Sequence, residues 1–134
     1  MGQRYITRLL EHHPADTIIL ALCDISPDAC AAAARLFTDH GVEPPPQRLD
    51  FSALLADFGD QLDAALILTP HVWHYPQAAA CLSAGVDVLL EKPAVMTSAE
   101  ARQLVALRDQ TRRLLVVGFQ GGLSPHIRAA ARLL

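Results

Sequence analysis

Short apolar runs recur along this chain with a helical pattern after each, and that alternation limits the fold more than any other feature. The runs cover residues 17–23 (TIILALC), 62–70 (LDAALILTP), 86–91 (VDVLLE) and 114–119 (LLVVGF). Each is short and mostly apolar, as a strand buried on both faces must be. Helical stretches lie between them. Ser26 and Pro27 open one that Gly41 closes, and another spans 73–84 and stops at Gly85. Thr97-x-x-Glu100 is a capping box heading a third that reaches about Arg112, and Ser124-Pro125 opens a last one. A first helix is expected over 3–12, with Tyr5, Ile6, Leu9 and Leu10 on one face; the PPP at 44–46 is a stiff connector, followed by a short strand in QRLDF and a short helix over 52–58. Strand and helix in alternation give an α/β fold: a Rossmann-like, doubly wound parallel sheet covered by helices on both faces.

Composition narrows the function classes. A chain of 134 residues that is 51% hydrophobic suits one packed domain. With 11 basic and 14 acidic residues, a formal charge of -3 and no basic cluster, it carries no nucleic-acid footprint. No apolar run approaches the ~20 residues of a membrane span, so neither nucleic acid nor membrane is expected as a partner. Three cysteines, Cys23, Cys30 and Cys81, have no metal-knuckle spacing; Cys23 and Cys81 read as buried free thiols, which fits a reducing cytoplasm.

In doubly wound sheets the ligand lies beyond the carboxyl ends of the strands, so the residues there are the candidates. The runs end in Asp24, in Thr69-Pro70-His71, in Glu91-Lys92-Pro93 and in Gly118-Phe119-Gln120. An acid in the position of Asp24 accepts hydrogen bonds from an adenosine ribose and repels a 2′-phosphate, favouring NAD over NADP; the alternative is an acid that helps cap the helix beside Ser26. His71 and His74 are too few for a metal site, and none is expected; they form either a polar site wall or two exposed helix-start histidines. Lys92 is the catalytic candidate, because a lysine at a strand end can hold a substrate hydroxyl during hydride transfer. The alternative is a surface ion pair with Glu91, although neighbouring strand residues point to opposite faces. Pro93 stiffens the backbone behind them, with a cis bond open to it.

The glycine turn that carries a pyrophosphate in such folds is absent, along with the strand before it. Gly2 stands 22 positions before Asp24, close to the ~20 that separate turn and ribose acid, and so is placed as the third glycine of that motif. The tail IRAAARLL ends on an apolar helical face. A partial domain spanning 1–134, lacking the first strand, is the expectation. With a central strand missing, the edges of the strands at 17–23 and 63–68 should be unpaired or should pair directly.

The stretch TPHVWHYPQAAACLSAGVDVLLEKPAVMTSAEA resembles the glucose–fructose oxidoreductase, inositol dehydrogenase and MocA family. Its pattern is TP-x-x-x-H, a helix ending in Ala-Gly, an apolar strand, then Glu-Lys-Pro and another helix. ALCD and VVGFQGGLSPHIRAA are similar as well, so the resemblance spans nearly the whole chain. It implies an NAD(P)-dependent oxidoreductase acting on sugars, inositols or related polyols, with a second domain that carries substrate residues and the contacts of a homo-oligomer. It also implies cofactor-binding roles for Gly2, Asp24, Thr69, Pro70, His74, Glu91, Lys92 and Gln120, and a contact between Lys92 and the reacting hydroxyl. Gly122 and Leu123 depart from the pattern where many members carry an Arg. The chain by itself is expected to be inactive. A non-catalytic nucleotide-binding or interaction module on the same fold is the competing expectation.

Overall fold

Residues 2–119, 124–130 and 132 are described by the computed structural model. Their elements alternate as the apolar runs require: α1 (Gly2–His12), β1 (Leu22–Cys23), α2 (Pro27–Asp39), β2 (Gln47–Arg48), α3 (Phe51–Phe58), β3 (Ala64–Ile67), α4 (His74–Ser83), β4 (Asp87–Leu90), α5 (Ser98–Thr111), β5 (Leu115–Val117) and α6 (Pro125–Ala130). They group into two units, Met1–Leu62 and Asp63–Leu134.

In the first unit β1 and β2 pair in parallel, Leu22 opposite Gln47 and Cys23 opposite Arg48. α2 starts at Ser26, whose hydroxyl accepts from the Ala29 amide at 3.3 Å, and Pro27 takes the first helical position. α3 starts one residue before the expected helix because Asp50 caps it, accepting from the Ala53 amide at 2.8 Å. Ile6, Cys30 and Phe37 are buried here.

Two expectations fail in this unit. The strand expected over 17–23 pairs only at Leu22 and Cys23, and Ile18 is 88% exposed. β1 has a partner on one edge only among the described residues, and apolar side chains without a neighbouring strand do not make a ladder. Cys23, expected buried, is exposed, whereas Cys30 is buried. Alternation sends Leu22 and Cys23 to opposite faces. Even so, partial burial, reinforced by the nearby Cys30, Asp50 and Asp24, pushes the Cys23 thiol pKa up.

In the second unit the order is β3–β4–β5, all parallel, with Ala64 opposite Asp87 and Val88 opposite Leu115. β3, like β1, keeps one edge without a strand partner among the described residues. α4 packs on β3 and β4, and α5 on α4. The core is Ile67, Ala78, Cys81, Leu82, Val86, Val88, Leu90 and Leu104. Burial pushes the Cys81 thiol up to about 11. Gly85, at φ +81°, makes the turn from α4 into β4 that a residue with a Cβ would strain. The capping box of α5 forms with both of its bonds. Among the described residues the expected cover on both sheet faces is found on one: Leu66, Leu89 and Val116, in register across the three strands, form an exposed row. No described helix is long and apolar enough to cross a membrane.

Candidate functional site

At the carboxyl edge of the β3–β4–β5 sheet the ladder runs one step beyond the strands. The Glu91 amide donates to the Ile67 carbonyl at 3.0 Å, and the Gly118 amide to the Leu90 carbonyl at 2.8 Å. Glu91 is therefore held in register while its side chain turns inward. That side chain belongs to a residue only 7% exposed, and among the described residues neither carboxylate oxygen has a hydrogen-bond partner. The expected alternative, an ion pair with Lys92, is thereby ruled out within these residues. Gly118 makes the space: a Cβ there would lie 2.8 Å from Glu91 Oε2. A buried carboxylate without a donor is costly, and such orphaned groups call for a functional explanation.

Lys92 follows at once and is exposed, and the Lys92–Pro93 peptide is cis. Lys92 is also the single lysine of the chain; the other ten basic residues are arginines.

The other wall is the loop after β3. Thr69 donates its hydroxyl hydrogen to Gln77 Oε1 at 2.7 Å, which ties the strand end to α4. Pro70 is exposed and opens the 3-10 turn His71–Trp73. His71 is exposed and meets His74 edge-on, their ring centroids 5.4 Å apart. His74 is wholly buried, its Nδ1 2.8 Å from the Pro93 carbonyl and its Nε2 2.8 Å from the Thr69 carbonyl. The ring, expected beside the cofactor, has no exposed surface in the ligand-free chain, and both nitrogens face backbone. Among the described residues no three His, Cys, Asp or Glu side chains gather into a metal cluster.

Asp24 and Gly2 belong to the first unit. Asp24 follows β1, and its amide donates to the Arg48 carbonyl at 3.2 Å. Its carboxylate is exposed, with Oδ1 accepting from the Ser26 amide at 2.9 Å. The cap of α2 is Ser26, so Asp24 supports the turn rather than the helix end. The buried Cys30 thiol reaches the Asp24 carbonyl at 3.6 Å from below. Arg48, the basic residue nearest in the ladder, is engaged by Asp57 at 2.6 Å and lies over the Phe58 ring. Gly2 is the first residue of α1. Gln120, Gly122 and Leu123 lie outside the described residues.

Thr69, His74, Glu91 and Pro93 are thus brought to one sheet edge. Gln77 and the packing role of Gly118 were missed. A glycine directly after an apolar strand was the available signal for Gly118.

The model of the oxidoreductase family with an NAD-binding Rossmann fold matches residues 1–119. The chain belongs to that family. This glucose–fructose oxidoreductase, inositol dehydrogenase and MocA family member is 40% identical, over 100 residues, to a glycosyl hydrolase family 109 protein of Saccharopolyspora erythraea, a match covering 71% of this chain and 21% of the relative. Among solved structures it is similar to a 3-ketoreductase from Actinomadura kijaniata in complex with TDP-benzene and NADP, at 27% identity and a TM-score of 0.76, over 98% of this chain and 39% of that one. It is also similar to the WlbA dehydrogenase of Chromobacterium violaceum, in complex with NADH and UDP-GlcNAcA, at 25% identity and a TM-score of 0.72, over 90% of this chain and 32% of that one. The chain therefore spans well under half the length of the proteins it matches.

Proposed function

We propose that this chain is part of the dinucleotide-binding domain of an oxidoreductase that moves hydride between NAD and a hydroxyl-bearing carbon of a sugar, inositol or related polyol. The observation that carries this is Glu91: a buried carboxylate whose two oxygens have no partner among the described residues, at the carboxyl edge of a parallel sheet and beside an exposed lysine. Both oxygens are buried in the ligand-free chain, so the side chain would turn toward the sheet edge on binding, where ribose hydroxyls are the donors it lacks. Glu91 would hold the nicotinamide ribose, with Thr69 and Pro70 lining the path and Gln120 near the ring. Asp24 would hold the adenosine ribose, and Gly2 would stand near the pyrophosphate. The nicotinamide, when bound, accepts or returns the hydride. Lys92 would hold the substrate hydroxyl by hydrogen bond and steady the charge on its oxygen as the proton passes to a base supplied by the substrate domain of the full-length protein.

The exposed Asp24 carboxylate supports NAD over NADP, because it would repel a 2′-phosphate and the neighbouring Arg48 is already paired with Asp57. The similar solved proteins include one with NADH and one with NADP, so this choice rests on Asp24. The full-length protein, with its substrate domain and the oligomer contacts expected there, is the form to assay. It should bind NADH more tightly than NADPH and reduce NAD with a member of a polyol, inositol and nucleotide-sugar panel. Lys92→Ala should remove turnover and leave NADH binding in place. Binding of neither dinucleotide would overturn the proposal, and binding without turnover on any substrate would favour the non-catalytic module.

One observation favours a second substrate class. The relative at 40% identity is named a glycosyl hydrolase, so a glycoside substrate belongs in the same panel. Release of a free sugar in the presence of NAD would select that class.

A further inference from the structure

We propose that His74 is the positioning residue for Lys92: a clamp that holds the backbone after β4 against the backbone after β3. Beyond the Glu91 amide, which ends the ladder on β4, the chain runs through Lys92, Pro93, Ala94 and Val95 before the Met96 amide meets Glu100 Oε2 at 3.0 Å. Across residues 92–95 the one hydrogen bond among the described residues joins the Pro93 carbonyl to His74 Nδ1. Proline has no N–H of its own to add. The opposite ring nitrogen faces the Thr69 carbonyl, so one imidazole spans the two strand-end loops. A neutral ring supplies one N–H and a protonated ring two, and carbonyls supply none. The ring is the donor in this arrangement, and its position at the head of α4, wholly buried, gives it no freedom to swing away.

The consequence is specific to Lys92, whose carbonyl carbon is bonded to Pro93. Freed from His74, the segment 92–95 has no tie between the end of the ladder and the cap of α5. The side chain at Lys92 then samples directions instead of one. Losing an orientation of that kind can cost on the order of a hundredfold in rate without a change in binding groups.

On the 134-residue chain the solitary lysine gives a direct test. Labelling with [15N]lysine yields one backbone amide signal, that of Lys92. Two polar variants divide the clamp by bond count from Cα: the amide nitrogen of His74→Asn falls where Nδ1 lies and can still reach Pro93, whereas that of His74→Gln falls where Nε2 lies and reaches Thr69. Valine labelling, read at the buried Val86 and Val88, reports the fold of the unit. The expected result is a Lys92 signal near the original in His74→Asn and a shifted, broadened one in His74→Gln, with the valine signals unmoved in both. Equal behaviour of the two variants at Lys92 overturns the clamp. Loss of the valine signals in both also overturns it, making His74 a core residue and nothing more. The functional weight of the clamp rests on Lys92 meeting substrate, as proposed above. In the full-length enzyme His74→Gln should lower kcat about a hundredfold with little change in KM for NAD. The labelling result does not depend on activity, so the two ideas fail separately.

Discussion

Gly118→Ala isolates the contact that shapes the candidate site. The added Cβ would stand 2.8 Å from Glu91 Oε2, 3.6 Å from the Leu90 carbonyl oxygen and 3.9 Å from the Glu91 Cα. The last two are ordinary contacts, so the strain falls on the carboxylate alone, which must retreat by roughly half an ångström. The backbone at Gly118 is not left-handed, so alanine meets no backbone penalty there. Two terms then oppose. Forcing a packed, buried Glu off its rotamer costs ~0.5–1.5 kcal/mol. Replacing glycine where the conformation suits alanine returns ~0.4–1 kcal/mol through the unfolded chain. The net change in stability should therefore stay within about 1 kcal/mol. The displaced carboxylate, however, no longer meets a ligand hydroxyl, and loss of one charge-assisted bond of ~1.5–3 kcal/mol weakens NADH binding by the full-length protein at least about tenfold. Urea midpoints and fluorescence titration give the two quantities. Glu91→Asp supplies the control, since its shorter side chain leaves room for the Cβ. Gly118→Ala should cost less in that background, with a coupling of the order of 1 kcal/mol. An equal cost in both backgrounds, or a loss above about 3 kcal/mol in each, would mean that the glycine is required for some other reason.

Three other outcomes follow from the same geometry. Glu91→Gln should raise the urea midpoint of the ligand-free chain, because the buried group keeps its lack of partners but loses its charge, while NADH affinity in the full-length protein falls; an unchanged midpoint would mean that the carboxylate is not orphaned. Thr97→Ala removes half of a formed capping box and should cost ~1 kcal/mol in denaturation, less if Glu100 alone can hold the end of α5 through the Met96 amide. The Cys81 thiol, raised by burial from 9.0 to about 11, favours the folded state fully below pH 9.0 and loses that contribution as pH climbs to about 11, some 3 kcal/mol in all, so unfolding free energy against pH should fall more steeply over that window than in Cys81→Ala.

The parts legible in the sequence were those set by neighbours along the chain. Ser26 with Pro27 marks α2, and Thr97 with Glu100 marks α5, because caps act over three or four residues. The apolar runs located β3, β4 and β5 to within a few residues, and the placing of Glu91 and Lys92 at a strand end followed from that. Pairing could not be read so far. Residues 17–21 are as apolar as residues 64–67, yet only the latter are strand, because strand formation needs a ladder partner and periodicity does not report one.

Burial shows the same division at the site itself. Leu66, Leu89 and Val116 have the apolar character of a covered face and are exposed in register, while Glu91 and His74 have the polar character of a surface and are buried. Composition tells which side chains a covering element would suit; it does not supply the element. In the other direction, a polar residue is kept inside only when distant groups make a place for it. Gly118 does so for Glu91 by having no Cβ, and the Thr69 and Pro93 carbonyls do so for His74 by facing its two ring nitrogens. Each of these arrangements joins two strand ends and so depends on the register of β3, β4 and β5, which no local spacing encodes. That dependence also explains why the two buried polar residues differ in prospect. His74 finds acceptors within the fold and serves to hold it, whereas Glu91 finds no donor among the described residues, and its buried oxygens would meet a ligand by turning toward the sheet edge.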